Sequence, residues 1–491
     1  MIENIFKSAV LHHTRKNFSK AKEIYESLLQ KNPNNLAILQ NYASLLSQIK
    51  EYKKADDTFR KCLQIKPKDP LLLYNYGKFF HDQKIFEKAI KFYTESFKLN
   101  PKNDVPLYNV GNIYLSQGKF EQAIDTFKKV IEINPSNFVA HNNIGIAYKR
   151  IGNFSDALKF YKKAINKKND YVDAHINYST MLLTTNKLEE GLEEYEWRKK
   201  SKSFSDYIDY RSLNLKSKVW NGENLRNKKL FIIAEQGIGD LIQFGRYLYL
   251  LKEKYKTEVI LKIKGKNFLH FFDQKDFKIV LDDQPIPAHD YHNFMMSLPR
   301  IFFKTGELFC RQVNFFRSDN KVKAKWQKKL QNIDRVKVGI HWSTSSLMPE
   351  KDLPFKYFDK LSKDINVNLF VLQKNVSLDE EKLISKNKKI FYFPDIDKSE
   401  KAFIDSIEIV RNLDLVITSD TAMAHLSATL GKKTWIALPM VADWRWFMDK
   451  KNTKWYPNAT LYRQEKIGEW ERVFEIIKEK FEEEFRDKLK S

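Results

Sequence analysis

Cysteine is nearly absent from this 491-residue sequence: its two copies, Cys62 and Cys310, lie far apart, one in each half of the chain. Neither is surrounded by residues at metal-ligand spacing. This usage argues against a disulfide framework and against a zinc site, and it is typical of a reducing compartment.

Long apolar runs are missing as well. Residues 1–18 contain no extended apolar segment of the kind that forms the centre of a signal peptide. No run elsewhere approaches the roughly 20 residues that span a bilayer. The sequence therefore predicts no membrane span and a cytoplasmic location.

Positive charge is abundant, with a formal net charge of +24, but it is not concentrated. The lysines are spread over the whole chain, and there is neither a clustered basic arm nor an RNA-binding signature. We therefore predict solvated basic faces and no nucleic-acid partner. With 42% apolar residues, the chain is long enough for two or three domains with full cores.

The first 205 residues repeat with a period of 34. Three kinds of residue keep this period: prolines that end a helix, small residues where two helices cross, and aromatics that fill the holes between helices. They are Pro33, Pro67, Pro101 and Pro135; Ala21, Ala55, Ala89, Ala123 and Ala157; Gly77, Gly111 and Gly145; and Tyr25, Phe59, Tyr93, Phe127 and Tyr161. The pattern is that of tetratricopeptide repeats, which form an α-solenoid. We place five repeats over 2–171 and a degenerate, capping one at 172–205.

Asparagine keeps the same period on the first helix of each repeat, the helix that lines the concave wall in this architecture. The positions are Asn41, Asn75, Asn109, Asn143 and Asn177. One interpretation is a row of amides that pair with the backbone of an extended peptide. The other is that asparagine simply belongs to the consensus of this repeat type. The row resembles the asparagine ladder of protein O-GlcNAc transferases, which implies a polypeptide acceptor or partner.

Residues 206–226 are predicted to be a linker or docking segment, with Trp220 packed against the following domain. From Lys228 onward, the pattern changes to alternating strands and helices. Residues 230–236 form a predicted strand, which a tight turn at 237–240 joins to an amphipathic helix. Two glycines allow close backbone approach in that turn, and Asp240 by itself would be an ordinary N-cap.

A second such unit lies at 413–439, where a strand, a small-residue helix and another strand follow one another. The helix follows Asp420 and is stopped by Gly431. Ligands bind beyond the carboxyl ends of strands in such sheets, and helix N-termini favour anions. Thr421 and His425 share one helical face, so a phosphorylated ligand is one interpretation. The other is that Asp420 only caps the helix and that His425 is a buried structural histidine.

The stretch SDTAMAHLSATLGKKTW, residues 419–435, resembles the donor segment of heptosyltransferase-like glycosyltransferases, which are related to glycosyltransferase family 9. The matching residues are Ser419, Asp420, Thr421, Ala422, His425, Leu426 and Gly431. The pieces 220–223, 235–240 and 243–247 resemble the opening of the catalytic domain in tetratricopeptide-fused members. So do the D-W-R-W and W-Y-P segments at 443–446 and 455–457, for which loop packing is an equally good interpretation.

The resemblance implies a GT-B fold, an α/β architecture of two Rossmann-like lobes. The acceptor lobe is expected at 227–331, the donor lobe at 332–465, and at 466–491 a terminal helix that returns to the first lobe. Asp240 is implied as the general base. The implied donor-binding residues are Gly237, Gly239, Ser343, Lys351, Gln373, Asp420, Thr421, Ala422 and His425. Ser343 belongs to the loop Trp342-Ser343-Thr344-Ser345, and Arg445 is a weaker candidate for substrate contact.

These residues predict transfer of a sugar from a nucleotide-sugar co-substrate to an acceptor hydroxyl, with inversion and without another cofactor. We expect no metal, because no D-x-D motif stands near the predicted donor strands, and Asp282-Asp283 is interpreted as a loop. The repeats would recruit a protein acceptor. The alternatives are transfer to a surface glycan or lipid-linked sugar, and a non-catalytic scaffold with degenerate lobes.

Overall fold

The computed structural model describes residues 2–208, 213, 215–333, 335–343, 351–365, 367–448 and 451–490. The chain divides into two compact units, Met1–Ala174 and His175–Ser491. The first unit consists of helices and the second of parallel sheets covered by helices, so the chain is an array of helix pairs followed by an α/β region.

The first unit is a series of helix pairs with the 34-residue period predicted from the sequence. Its helices are α1 (Ile2–Thr14), α2 (Phe18–Lys31), α3 (Leu36–Gln48), α4 (Tyr52–Ile65), α5 (Pro70–Asp82), α6 (Phe86–Leu99), α7 (Val105–Ser116), α8 (Phe120–Ile133), α9 (Phe138–Arg150) and α10 (Phe154–Lys167). Helix α11 (Val172–Thr184) begins in the first unit and ends in the second.

Close crossing of the two helices in a repeat depends on the periodic glycines. A Cβ atom on Gly111 would lie 2.6 Å from Cε1 of Phe127, which real Cβ atoms do not tolerate. The equivalent contacts are Gly77 with Tyr93 at 2.8 Å and Gly145 with Tyr161 at 2.6 Å. The period therefore pairs a missing side chain on one helix with an aromatic ring on the next.

The second unit continues with helices and two sheets. Its further helices are α12 (Leu188–Glu194), α13 (Lys202–Tyr207), α14 (Ile238–Phe244), α15 (Arg246–Tyr255), α16 (Leu298–Lys304), α17 (Asn320–Leu330), α18 (Lys356–Asp364), α19 (Leu378–Ser385), α20 (Ile404–Arg411), α21 (Ala422–Thr429), α22 (Trp470–Glu484) and α23 (Arg486–Lys490). Its strands are β1 (Lys218–Val219), β2 (Lys229–Ile233), β3 (Glu258–Lys262), β4 (Lys278–Val280), β5 (Tyr291–Phe294), β6 (Lys337–His341), β7 (Asn368–Val371), β8 (Ile390–Phe391), β9 (Leu415–Thr418), β10 (Thr434–Leu438) and β11 (Ala459–Arg463).

Both sheets are parallel throughout and doubly wound. The first has the order β1-β5-β2-β3-β4, and the second has the order β11-β10-β9-β6-β7-β8. Successive strands along the chain are added first on one side of the sheet and then on the other. The change of side, or chain reversal, occurs between β2 and β5 in the first sheet and between β6 and β9 in the second. In such sheets the crevice beyond the carboxyl ends at this reversal is where ligands bind.

The unit β9-α21-β10 agrees with the sequence prediction within a few residues at each boundary, and Gly431 follows the helix with a φ of +77°. The N-cap of α21 is Thr421, however, and not Asp420. The interpretation of Asp420 as a simple helix cap is therefore wrong. Its carboxylate has other partners, described below.

The terminal helix α22 packs on the second sheet. Its Phe474 ring lies 4.9 Å from that of Phe358, and its Phe481 ring lies 6.2 Å from that of Trp435. The resemblance instead implied a helix that returns to the first lobe. The apolar face of α22 fills the core formed by the second sheet and α18, which fixes the helix there.

The segment predicted as a linker is partly built into the first sheet. Residues 209–212 and 214 lie outside the described part of the chain, but Lys218–Val219 forms the edge strand β1. Trp220 is fully buried, 5.7 Å from the ring of Tyr255 and 6.1 Å from that of Phe302, so its predicted packing is confirmed.

None of the described helices is both long enough and apolar enough to cross a membrane.

Candidate functional site

The loop after β2 carries Asp240 into the first turn of α14. The N-cap of this helix is Gly237, and its backbone N–H donates to Oδ2 of Asp240 at 3.0 Å. Asp240 is thus not the cap that its residue type alone suggests. It sits three residues into the helix, and the hydrogen bond orients its carboxylate.

The loop after β9 carries Asp420, which is 6% exposed. Its Oδ1 accepts the indole N–H of Trp446 at 2.6 Å, and its Oδ2 lies 2.7 Å from the Nζ atom of Lys351. Burial lowers the pKa of Lys351, but the carboxylates of Asp420 and Asp443 outweigh this and leave that pKa above its ordinary value. A buried carboxylate with two such donors is held in one orientation.

His425 lies on α21, one turn beyond Asp420. Its imidazole stacks on Trp446 with ring centres 5.2 Å apart, and its Nδ1 is 3.1 Å from the hydroxyl of Tyr456. Burial, with help from neighbouring cations, lowers the pKa of His425 to about 3, so the ring is neutral at physiological pH. The guanidinium of Arg246 lies 4.8 Å above the Tyr456 ring and thereby supports this arrangement.

The two loops face each other. A Cβ atom on Gly239 would lie 3.2 Å from Cδ2 of His425 and 3.6 Å from Cα of Ala422, so α14 and α21 touch at their first turns. Arg445, in the loop after β10, donates to the Asp240 carboxylate and, at 2.7 Å, to that of Asp443. Residues that follow strands of both sheets therefore meet at one place.

The predicted residues after β6 and β7 border this place. Oε1 of Gln373 accepts the backbone N–H of Trp342 at 3.4 Å and that of Ser343 at 3.2 Å, so Gln373 shapes the loop after β6. Thr421 Oγ1 lies 3.4 Å from Nδ1 of His341, the last residue of β6. Thr344 and Ser345 of the same predicted loop lie outside the described residues.

The predicted residues therefore fall into two adjoining groups. The first surrounds the contact of α14 with α21 and comprises Gly237, Gly239, Asp240, Lys351, Asp420, Ala422 and His425. The second comprises Ser343, Gln373 and Thr421, at the chain reversal of the second sheet. No described cluster of three or more His, Cys, Asp or Glu side chains has the arrangement of a metal site.

Sequence reasoning missed the supports of the first loop. Arg198 donates through Nη2 and Nε to the two carboxylate oxygens of Glu235, at 2.6 and 3.1 Å, and both side chains are buried. The hydroxyl of Tyr195 accepts the side-chain N–H of Gln236 at 3.0 Å. Arg198 and Tyr195 stand in the degenerate repeat, where a 34-residue period gives no signal for them.

Sequence reasoning also underestimated Trp446 and Tyr456, which hold Asp420 and His425. The unusual density of aromatics in the D-W-R-W and W-Y-P segments was the available signal. Both segments pack, as one interpretation expected, but they pack directly on predicted site residues.

The asparagine row is not uniform. Asn143 is buried, and its amide donates to Oδ1 of Asn112 at 2.9 Å. Asn41 and Asn109 are half-buried and donate to the Ala37 carbonyl at 2.9 Å and to a tyrosine hydroxyl at 3.4 Å, respectively. Asn75 is also half-buried, and Asn177 belongs to the second unit. Within the first unit, the position at Asn143 is therefore structural, while Asn41, Asn75 and Asn109 remain partly accessible.

Comparison with known proteins identifies the repeats. Models described as tetratricopeptide repeat match residues 13–74, 71–103 and 140–171, and a model described as TPR repeat matches 111–152. The first unit is thus an array of tetratricopeptide repeats, a class of module that binds protein partners.

One curated relative is Protein FlbA of Caulobacter vibrioides, which is 24% identical over 319 residues. The match covers 60% of this chain and 52% of FlbA, so the chain spans about half the length of that relative. The matched share of this chain is longer than the repeat unit, so the similarity extends into the α/β region.

Three solved structures illustrate the similarity of this chain to known folds. The MamA protein is 24% identical, with 35% of this chain and 94% of MamA covered and a TM-score of 0.32. PilF of Pseudomonas aeruginosa is 18% identical, with 42% and 95% covered and a TM-score of 0.36. YrrB, titled a TPR protein with an unusual peptide-binding site, is 17% identical, with 36% and 91% covered and a TM-score of 0.31.

Proposed function

We propose that the α/β unit is a GT-B glycosyltransferase that moves a sugar from a nucleotide-sugar donor to an acceptor hydroxyl, and that the repeats recruit a protein acceptor. The observation that carries the proposal is the contact of Gly239, which precedes Asp240 in the loop after a strand of the first sheet, with His425 on the helix after a strand of the second. A cleft between two doubly wound sheets suits transfer between two bound molecules.

The donor is assigned to the second sheet. Its chain reversal lies between β6 and β9, and the first turn of α21 has backbone N–H groups with no partner inside the helix. Such groups favour a diphosphate, and Lys351 adds a positive charge beside them. The leaving diphosphate gains negative charge as the glycosidic bond breaks, so fixed donors stabilise the transition state more than the ground state. No metal is assigned to this step.

Asp240 is assigned as the general base. It takes the proton of the acceptor hydroxyl while the oxygen attacks the anomeric carbon from the face opposite the diphosphate. The bond from that carbon to the diphosphate oxygen breaks, and its electron pair leaves with the diphosphate, which inverts the configuration. A positioned base contributes about 10²–10⁴-fold to such a step. Burial raises the pKa of Asp240, which strengthens it as a base.

The test is release of nucleoside diphosphate from a panel of UDP-, GDP-, ADP- and dTDP-sugars, with and without EDTA. We expect one donor class to be turned over, the activity to resist EDTA, and Asp240→Asn to lose about 10²–10⁴-fold in kcat. The matched control is Asp283→Asn, an exposed carboxylate in the loop after β4, which should behave as wild type.

Two results would contradict the proposal. One is the absence of turnover with every donor and acceptor tried, which would favour the non-catalytic scaffold. The other is an Asp240→Asn variant that is folded, as judged by tryptophan fluorescence, and turns over at the wild-type rate. That result would remove Asp240 as the base.

The acceptor is assigned as a polypeptide because Asn41, Asn75 and Asn109 offer partly accessible amides on consecutive repeats. The test compares glycosylation of a peptide library by wild type and by the triple alanine variant, with a lipid-linked sugar and a free glycan as competing acceptors. Loss of peptide glycosylation in the variant supports a protein acceptor. Transfer to the glycan or lipid-linked sugar, equal in both proteins, favours the alternative acceptors.

A further inference from the structure

Asp240 and Arg445 form a shielded ion pair between a loop of the first sheet and a loop of the second. Their side chains are 15% and 9% exposed. Arg445 lies in the short turn Trp444–Trp446 after β10, and its Nη2 donates to Oδ1 of Asp240 while its Nη1 donates to Oδ1 of Asp443. One guanidinium is therefore shared between two carboxylates.

The sequence placed Arg445 only as a weak candidate for substrate contact. In the structure, Arg445 instead contacts the carboxylate of Asp240, which is assigned as the general base. Arg445 can therefore act on the ionisation of the base rather than on the substrate. A cation in contact with a base favours the ionised form of that base, whereas a carboxylate that competes for the same cation weakens the effect.

The forces on the Asp240 carboxylate act in both directions. Burial raises the pKa of Asp240, and the carboxylates of Asp443 and Glu235 raise it further. Arg445 and the Gly237 N–H lower it without cancelling the upward shift. The same guanidinium, together with Lys351, overcomes burial and holds the pKa of Asp443 well below its usual range.

Other titratable groups also face this place. They are His425 on α21, Tyr195 in the turn after α12, and Lys351 beside Asp420. His425 and Tyr195 are neutral at physiological pH, because burial lowers the pKa of the first to about 3 and raises that of the second. Lys351 is positive but bonded to Asp420. The charge that touches Asp240 directly is that of Arg445.

We propose that Arg445 is a positioning residue that sets the pH at which Asp240 can accept a proton, and that Asp443 opposes it by sharing the guanidinium. This inference rests on the proposed function, since it treats Asp240 as the base. The two partners come from loops of different sheets, so the contact between these loops is what places the cation against Asp240.

The test is the pH profile of kcat/KM between pH 4.5 and 8.5, measured with the nucleotide sugar that wild type turns over. Arg445→Gln should move the acidic limb upward by about one to three pH units, and Arg445→Lys should move it less. Asp443→Asn should move the limb downward, because it frees the guanidinium for Asp240. General damage to the loop would not produce shifts of opposite sign.

The matched control is Arg463→Gln. Arg463 donates to the backbone carbonyls of Trp446 and Phe447, so it supports the same loop without contacting Asp240. This variant should keep the wild-type limb even where its kcat falls. An unshifted Arg445→Gln limb, or equal shifts in Arg445→Gln and Arg463→Gln, would overturn the inference.

A second measurement needs no turnover. The pH at which Asp240 ionises is read from the difference between the urea-unfolding midpoints of a protein and of its Asp240→Asn partner across pH 4 to 8. The pH at which Asp240 ionises should be higher in the Arg445→Gln variant than in wild type. If it is and no donor is turned over, the proposed function fails while the electrostatic assignment stands. If it does not move, the assignment itself fails.

Discussion

At the scale of single residues, Gly237 and Gly239 belong to the same turn, but they differ in how much space surrounds them. A Cβ on Gly237 would meet only the flexible Asp240 carboxylate, at 3.7 Å, and the φ of Gly237 is −85°. A Cβ on Gly239 would press on the buried His425 ring at 3.2 Å. The second glycine is needed for helix contact, and the first is not.

We therefore expect Gly239→Ala to destabilise the second unit by about 1–3 kcal/mol, as overpacking of a close contact does. The matched variant Gly237→Ala should change stability by less than about 0.5 kcal/mol. Urea unfolding followed by tryptophan fluorescence measures both, because all nine tryptophans lie after residue 174. Equal midpoints for the two variants would mean that the α14–α21 contact is looser than described.

Burial of His425 predicts that the stability of the folded protein falls at acid pH. Because burial lowers the pKa of His425 from 6.5 to about 3, an unfolded chain binds a proton there that the folded chain does not. Stability is therefore full above about pH 6.5 and falls as the pH drops toward 3, at up to about 1.4 kcal/mol per pH unit for this group.

We expect His425→Gln to show a shallower loss of stability between pH 6.5 and 4 than wild type, again by urea unfolding and tryptophan fluorescence. Some slope will remain, since burial also lowers the pKa values of His270, His292 and His341. His12→Gln, in the first unit, is the control and should leave the slope unchanged. A His425→Gln slope as steep as that of wild type would contradict the assignment.

At the scale of elements, the repeat helices use one residue type in two ways. Asn143 on α9 is buried and bonded to Asn112 on α7, so it ties neighbouring repeats together. Asn75 on α5 is only half-buried. The 34-residue period shows that these asparagines occupy equivalent positions on their helices. It does not show whether a given asparagine stabilises the array or is available to bind a peptide.

Asn143→Ala should weaken the array by about 0.5–1.5 kcal/mol, because it removes the hydrogen bond from a buried amide to the half-buried Asn112. Asn75→Ala should change the stability of the array little, and its expected effect is on the binding of a peptide by the repeats. Hydrogen exchange of peptides from α7 to α9, measured by mass spectrometry, separates the two variants in the full-length protein. Faster exchange in Asn75→Ala than in Asn143→Ala would reverse the assignment.

At the scale of the whole molecule, the chain divides inside the last repeat and not after it. The sequence period places that repeat at 172–205, whereas the contacts assign His175 onward to the α/β unit. Arg198 and Glu235 show the consequence: a guanidinium from the degenerate repeat satisfies a buried carboxylate in the loop that leads to Asp240.

Arg198→Met should therefore destabilise the α/β unit by about 3–5 kcal/mol, because it leaves the Glu235 carboxylate buried without its partner. The double variant Arg198→Met with Glu235→Gln should recover most of that loss, since the uncompensated charge is gone and the Met296 N–H keeps an acceptor. Urea unfolding by tryptophan fluorescence measures both variants. A double variant no better than the single one would show that the loss comes from packing.

Much of this architecture was predictable from sequence because it depends on local periodicity. A 34-residue recurrence of glycine, aromatic and proline positions predicts helix pairs, and short apolar runs followed by helices predict βαβ units. The placement of Asp240, Asp420 and His425 after such strands followed from the same patterns. Their boundaries were correct to within a few residues where packing did not intervene.

The partners of these residues were decided only by the tertiary structure. Asp240 is bonded to Arg445, about 200 positions away along the chain, and Asp420 to Trp446 and Lys351. The choice of Thr421 as the cap of α21, and the docking of α22 on the second sheet, were decided in the same way. Such pairings depend on which buried polar groups and apolar faces are brought together by packing. Local propensity carries no information about groups so far apart in the chain.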